Sequence, residues 1–591
     1  MIQLHRSTRC VSLLFWFVVC GVLFATGCAS NAPTTVAISP QIAAIGAGQT
    51  VQFTPIVTND SSGVTWSATA GSIDANGNFT APAQSATVTV TATSVKNKTL
   101  TAAAKVNVVA PGQVASTANV QVASFTIAPA GPGNVSVQFG TDTTYGLTTW
   151  TQPVPTGGGA VSLFVAGMKA TTLYHMRGVV QFADGSQYND VDQTFTTGAV
   201  ATAQLPVITA TTTPGATPQS GVEFVNTVLG SPSVNTVTVT DLAGNVLWTY
   251  SPGDAIAAGA AADPFKQLSN GHFLINFGVI NPTGQVLSSL LQEVDLSGKV
   301  FWQLSSAQLN QELAVATCTG CNITIIGTHH DFVALPNGHL IVIASTQQNV
   351  SGTTVTGDVL IDLDQNHEPV WLWNEFNHLD INRRPYLYPD WTHTNAVIYS
   401  ADDGNLIISI RHQNWLVKVD YENGKGSGDI LWRLGYQGDF TLVGGTDPTD
   451  WFYTQHGPTF VSSNTTGKFS LALFDNGDDR FFPSGQVLCT AQSASCYSTV
   501  QIINLDETAK TATFNFHMTA PFYSFFGGNS EVLANGNVEF CESAETISAL
   551  GGDIFEVAPS ANAQTVWNMK VTGQDIYRGQ RMPSMYPGVQ W

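Results

Sequence analysis

The chain has 591 residues, 43% of them hydrophobic and only 10% charged, with 54 glycines. That composition excludes a disordered or coiled-coil chain and supplies material for several cores. Lys and Arg number 21 against 41 Asp and Glu, a formal net charge of −20, so no cationic surface exists to neutralise a phosphate backbone and no nucleic-acid partner is expected.

The chain opens with Arg6 and Arg9 ahead of an apolar run from Val11 to Phe24. The run is short for a spanning helix, and a positive flank before it marks residues 1–27 as a secretory signal. It ends in Ala25-Thr26-Gly27-Cys28, which resembles the lipobox of bacterial lipoproteins, with Cys28 as the lipidated residue. Ala29 and Ser30 follow in place of an Asp, and by resemblance to enterobacterial sorting this favours a periplasmic protein anchored in the outer membrane.

Residues 28–110 read as short segments of period-two alternation, such as Ala86-Thr87-Val88-Thr89-Val90-Thr91, divided by Gly and Asn-Gly turns. This is the pattern of a β-sandwich, and VTWSATAGSIDANGNFTAPA resembles bacterial Ig-like modules. A second sandwich is expected over 117–198, where ATTLYHMRGVVQFADG and QTFTTG resemble the closing strands of a fibronectin type III module. Residues 199–220, rich in Thr, Pro and Ala, read as a linker.

From 221 to 591 a repeat sets the architecture. One half reads Val-x-Asp, a turn, then an aromatic, with copies ending at Trp248, Trp302, Trp371, Trp432 and Trp567 and a degraded copy at Phe514 and Phe516. The other half is Asn-Gly or Asp-Gly followed by alternating apolar residues, as in NGHFLINF, NGHLIVIA and DGNLIISI, where glycine provides the positive φ of a hairpin turn. Small antiparallel sheets repeated at this period cannot bury both faces alone and predict a β-propeller. Six copies predict six blades, with a seven- or eight-bladed ring as the alternative. The fold class is therefore all-β: a six-bladed β-propeller preceded by two β-sandwich domains.

Of the 12 histidines, eight fall between His329 and His456. His339, His367, His378 and His412 read as structural. His330 precedes one turn-and-strand unit, His393 the next strand, and His456 the strand after, so symmetry brings these three to one mouth of the central channel. Arg411 lies eighteen residues beyond His393. Three imidazoles with a guanidinium are not a carboxylate dyad, which argues against glycoside hydrolysis. The set suits an anionic, oxygen-rich group: Arg forks onto sulfate or phosphate oxygens, and His serves as nucleophile or acid. A metal site built on the histidines, and hence a metal-dependent sulfatase or phosphatase, stays open on composition alone. So does a non-catalytic, carbohydrate-binding propeller.

At DWTHTNAVIYSADDGNLIISIRHQNWLVKVD, followed by ILWRLG and YTQHG, the chain resembles the bacterial PAPS-independent arylsulfate sulfotransferases, over about 221–591. The resemblance implies that His456 is the nucleophile that takes the sulfuryl group as a sulfohistidine. It implies that His330, His393, Asn395 and Arg411 hold sulfate oxygens and assist the departing phenol. It also implies a substrate-binding hydroxyl from late in the chain, with Ser530 and Ser524 as candidates and Ser530 preferred. Partners would be a phenolic sulfate donor and a phenolic acceptor in ping-pong order, with no cofactor and no metal, and with room for a homodimer. Trp391, Phe452, Tyr453 and Phe522 to Phe526 are candidate walls for flat phenols.

Beyond the leader and Cys28, five cysteines remain. In an oxidising compartment Cys489 and Cys496 are expected to form a loop disulfide, Cys318 and Cys321 a second small bridge in preference to a metal half-site, and Cys541 to be a buried thiol.

Overall fold

The computed structural model describes residues 33–591 except 202–204, 231–235, 258–259, 282–283, 465–466, 483–488, 490–492, 494–495, 545–549 and 561. The signal segment and Cys28 lie outside the described residues. The described chain is all-β apart from short helical turns and one α-helix, Ser306–Val315, and it divides into two compact units.

The first unit runs to Ala83 and includes Thr87–Asn107. Its largest sheet orders Ile42–Gly46, Thr101–Val109, Ala86–Ser94 and Val64–Ala68, and smaller sheets pair Thr35–Ser39 with Thr54–Thr58 and Thr50–Gln52 with Asn78–Thr80. Burial along Ala86–Ser94 alternates as the sequence pattern requires, with Val88, Val90 and Ala92 buried, and Phe53 and Phe79 meet edge to face in the same unit.

The second unit begins with two antiparallel sheets. One contains Gln113–Ser116, Ala123–Ile127 and Val161–Val165; the other centres on Gly133–Gly140 paired with Leu173–Phe182. Phe125 and Ile127 of the first face Gly178 of the second, where a Cβ would meet both side chains at about 3 Å. The C-terminal tail is built into this pair of sheets. The Tyr586 hydroxyl accepts from Ala166 N–H at 2.7 Å, and Trp591 donates its indole N–H to Thr148 O at 2.9 Å.

Six sheets follow, antiparallel except where Thr441–Leu442 pairs parallel with Thr511 and Ala512; four are assembled from strands consecutive or near in sequence, and the first and last each add one strand from the far end of this region. Their edge strands in chain order are Ala261–Gln267, Ile325–Ala334, Thr394–Ser400, His456–Phe460 and Asn529–Val532, with the C-terminal Gln574–Met582 as edge strand of the sheet built on Val222–Gly230. These edges touch one another in series. Asn529 and Gly579 exchange side chain to backbone hydrogen bonds of 2.8 and 3.2 Å, which joins the last sheet to the first. Val207–Thr212, inside the stretch expected as a linker, is instead a strand on the last sheet paired with Thr565–Thr572. The content of Thr, Pro and Ala reads as a linker, whereas Ile208 and Ala210 pack on the core around Trp567.

The repeat owes its sequence to two devices. Its Asp accepts backbone N–H groups two and four residues on, as Asp241 does from Ala243 and Asn245 and Asp295 from Ser297 and Lys299, which closes the turn. Its Trp donates to the turn of the following sheet: Trp248 to Leu296 O, Trp432 to Glu507 Oε1, and Trp567 of the last sheet to Leu242 O of the first, each at 2.8 Å. In the third sheet Trp373, and not the expected Trp371, makes this link, to Gly428 O at 2.7 Å. The α-helix has no counterpart in the sequence reading, although Ser305 and Gln308 form a capping box at its start.

Cys318–Cys321 and Cys489–Cys496 are disulfides, and Cys541 is a buried thiol.

Candidate active site

His330, His393 and His456 stand in or directly before the edge strands of three consecutive sheets. At each place the ladder slips register, between Thr328 and Phe332, Thr394 and Ala396, and His456 and Thr459. His330 and His393 adopt left-handed backbone, with φ of +60° and +50°. A bulge with an unfavourable φ re-aims a side chain out of the pleat, and here it turns the imidazoles inward. Arg411 starts the short turn after Asn405–Ile410 and returns to the same place.

All four side chains line one cavity of about 250 Å³. The His330 ring lies 4.8 Å from His393 and 5.6 Å from Tyr577, and His456 lies 6.1 Å from Tyr577. Leu387, Phe525, Phe526 and Tyr386 supply the apolar and aromatic wall.

Each imidazole has its Nδ1 engaged behind the cavity. His456 Nδ1 meets Asn476 Oδ1 at 2.6 Å, and Asn476 Nδ2 donates to Ser524 O and Gly527 O. With the amide nitrogen so committed, Asn476 presents only its oxygen, and the His456 proton sits on Nδ1. The lone pair is then on Nε2, where Gly527 N–H donates at 3.2 Å. His393 Nδ1 meets Asp390 Oδ2 at 2.7 Å, and His330 Nδ1 meets His329 Nδ1 at 2.6 Å.

Burial, and then the charge of Arg411, holds His456 well below the ordinary imidazole range; burial and the neighbouring imidazoles do the same to His330. Both are neutral at pH 7. Burial opposes the charge of Asp390, yet His393 and His412 hold its carboxyl below the usual range. Tyr577 is pushed up by burial and stays a phenol.

Arg411 is 7% exposed. It donates Nη2 to Asp478 Oδ2 and to Phe525 O, each at 2.9 Å, and Nη1 to His412 Nε2 at 3.0 Å. Its buried Nε–H has no partner among the described residues, a donor left for a ligand oxygen. Burial raises Asp478 to about 6 against the pull of Arg411.

Asp390, His393 and His412 bring ligand atoms within 4.8 Å of one another. His412 Nδ1, however, donates to Asp390 O at 2.8 Å and its Nε2 accepts from Arg411, so this imidazole is spent and a guanidinium stands where a second cation would sit. The donor set fits a hydrogen-bonded array better than a metal ion.

Two expected residues are not on the wall. Asn395 is fully buried and donates Nδ2 to Gln455 O at 2.7 Å, tying its sheet to the residue before His456. Ser530 is fully buried on Asn529–Val532, its hydroxyl without a partner among the described residues, and the loop before that strand reaches the cavity through Phe525 and Phe526. Ser524 holds that loop by accepting from Ser543 N–H at 3.0 Å. Trp391, Phe452 and Tyr453 are core residues, and the latter two pack around Leu416 and Leu434. His412, expected as structural, stacks on His393 at 4.5 Å. Sequence reasoning missed Tyr386, Leu387, Tyr577 and Asp263 on the wall, and Asn476 and His329 behind it. The doublet His329-His330 was a usable signal; nothing in the sequence marked the rest.

A family model described as Arylsulfotransferase (ASST) matches residues 210–578. No curated protein matches the chain. Among solved structures, a chain of "COPII on membranes, outer coat vertex" is 11% identical, covering 73% of this chain and 97% of that one at a TM-score of 0.25. The GH74 xyloglucanase from Xanthomonas campestris is 11% identical, covering 79% of this chain and 71% of that one at 0.22. Scores this low carry no argument.

Proposed function

The chain belongs to the arylsulfotransferase family, and from that premise we propose that it passes a sulfuryl group from a phenolic sulfate ester to a phenolic acceptor through a sulfohistidine at His456, without PAPS. The observation that carries the mechanism is the fixed tautomer of His456: neutral, protonated on Nδ1 by virtue of Asn476, with its lone pair on the cavity nitrogen Nε2, where only the 3.2 Å contact from Gly527 N–H has to yield to sulfur among the described residues.

In the first half-reaction Nε2 attacks sulfur, the bond from sulfur to the aryl oxygen breaks, and the phenol leaves with a proton from a flanking imidazole. Arg411 Nε–H and Gly527 N–H are the donors free to take equatorial oxygens, the latter once Nε2 is bonded to sulfur. In the second half-reaction an acceptor phenol gives its proton back to that imidazole and attacks the same sulfur, and the bond to Nε2 breaks, its electron pair returning to the nitrogen. Phe525, Phe526 and Leu387 suit the flat faces of both phenols. Catalysis is mainly positioning and charge stabilisation, as in phosphoryl transfer.

The six sheets with touching edge strands support a six-bladed propeller, its first and last sheets joined by both ends of the repeat region. The two preceding sets of sheets support Ig-like and fibronectin-like sandwich modules. Residues 1–28 support a lipid anchor at Cys28 and a periplasmic location, on the sequence alone.

The direct experiment is incubation with 4-nitrophenyl sulfate and phenol, with and without a chelator. Nitrophenol release that requires phenol and survives chelation is the expected result; no release at all favours a non-catalytic propeller, and release abolished by chelator a metal-dependent hydrolase.

A further inference from the structure

Behind His330 lies a hydrogen-bonded row that the transfer chemistry above does not use. His329 Nε2 meets Asp358 Oδ1 at 3.0 Å and Ser345 Oγ at 2.8 Å, and Ser345 Oγ donates to the same Oδ1 at 3.0 Å. Ser345 spends its proton on Asp358, so it accepts from His329, and both contacts require the proton of His329 to be on Nε2. A neutral His329 then offers only a lone pair at Nδ1. With His329 neutral, the contact of 2.6 Å between the two Nδ1 atoms is filled by the proton of His330, whose Nε2 is then bare; with a second proton on His329 Nδ1 the same contact runs the other way and His330 carries its proton on Nε2. Asp358 is held in turn: Oδ2 accepts from Thr392 Oγ1 at 2.9 Å and from Thr394 N–H at 2.7 Å. His329 and Asp358 are 5% and 2% exposed and neither lines the cavity.

We propose that His329 and Asp358 form a proton store for the sulfuryl transfer, letting His330 change tautomer between half-reactions without ever becoming charged. The inference rests on the transferase reading. When an acceptor phenol attacks the sulfohistidine, its O–H proton goes to His330 Nε2, and the proton on His330 Nδ1 passes to His329 Nδ1. His330 ends neutral, protonated on Nε2. His329 ends as an imidazolium paired with the Asp358 carboxylate. In the donor half-reaction the same two protons move back, His330 Nε2–H is given to the departing phenolate, and His329 returns to neutral. No proton is gained or lost over a cycle.

The cavity needs such a store. His330 is buried beside His393, His456 and Arg411, a setting that disfavours a cation on its ring. A general acid that must be protonated in one half-reaction and bare in the next is served by a carboxylate one imidazole away, out of reach of the sulfuryl oxygens. His329 and Asp358 touch no substrate and are positioning residues.

Two measurements test the store. In the intact wild-type protein, the rate at which phenol discharges sulfated His456 is followed against the deuterium fraction of the solvent. Two protons moving together give a curved dependence; a straight line overturns the proposal. Second, His329→Gln is compared with wild type using phenyl sulfate, whose phenolate needs a proton to leave, and 4-nitrophenyl sulfate, whose leaving group does not. The expected loss is roughly 10²-fold with the first and under about tenfold with the second. An equal loss with both makes His329 structural only and overturns the store. If wild-type His456 is never sulfated, the transferase reading itself fails, a result distinct from either of these.

Discussion

His456 donates its Nδ1–H to Asn476 Oδ1 across 2.6 Å, and Asn476 cannot turn, because its amide nitrogen donates to Ser524 O at 2.8 Å and Gly527 O at 3.1 Å. One amide therefore decides which nitrogen of the nucleophile is available. Asn476→Leu removes the acceptor and frees the tautomer, and a wrong tautomer elsewhere costs about 10⁴-fold in kcat; a fall of roughly 10²-fold or more is expected here, with KM for the donor little changed. Asn476→Asp keeps the acceptor but adds a negative charge, so the imidazolium is favoured and the acid limb of the sulfation rate moves up in pH. Pre-steady-state bursts of nitrophenol across pH measure both.

The wild-type pH profile follows from the same burial. Attack needs neutral His456, and burial with Arg411 lowers its affinity for a proton, so more acid than usual is needed to silence it. The burst rate should stay level as the pH falls through 6.5, and the limb due to this histidine should lie well below that value. A limb centred near 6.5 would mean a solvated imidazole and an open site.

Arg411→Lys keeps the charge and loses the fork. Lysine cannot hold Asp478, Phe525 O and His412 together while leaving a donor for sulfate. We expect kcat/KM to fall roughly 10²-fold, read by steady-state kinetics, with the thermal transition little altered. Normal turnover in this variant would remove the guanidinium from the mechanism.

Gln574–Met582, the edge strand of the first sheet, carries a buried charge cluster shared with the last sheet. Arg581 is buried and bonded to Glu223 at 2.8 Å, Glu539 at 2.9 Å and Glu556 at 3.1 Å. Arg581→Met leaves these carboxyls uncompensated. The expected loss is about 3 to 5 kcal/mol, measured by urea unfolding, and a loss under about 1 kcal/mol would show that the carboxyls protonate without strain.

The repeat made most of the architecture legible, because the Asp turn recurs and, in four of the six sheets, an indole hydrogen-bonds the turn of the next. Trp371 and Trp373 show the limit. They lie two apart on one strand and so share a face: Trp371 packs on Tyr421 and Trp373 reaches Gly428 O of the same neighbouring sheet, and alternation does not say which indole makes the hydrogen bond. The strand Val207–Thr212 was hidden because its partner, Thr565–Thr572, is more than 350 residues away and a Thr-rich edge strand has the composition of a linker. At the site, His330, His393 and His456 were legible from their shared place before successive strands, and Arg411 only through family resemblance. Asn395 and Ser530 lie off the wall for a local reason: adjacent residues of an edge strand turn to different sides, at Asn395 beside a register slip and at Ser530 in regular pairing, and spacing does not say which side faces the cavity. Asn476 was beyond reach, since its partner stands twenty residues earlier on a different strand.

The most direct measurement is mass analysis of the peptide holding His456 after brief mixing with 4-nitrophenyl sulfate and no acceptor, in wild type and in His456→Ala. A gain of one SO₃ on His456, discharged by added phenol and absent from a folded, inactive His456→Ala protein, is the predicted result. Full turnover by His456→Ala, or SO₃ carried on a different residue, would contradict the account.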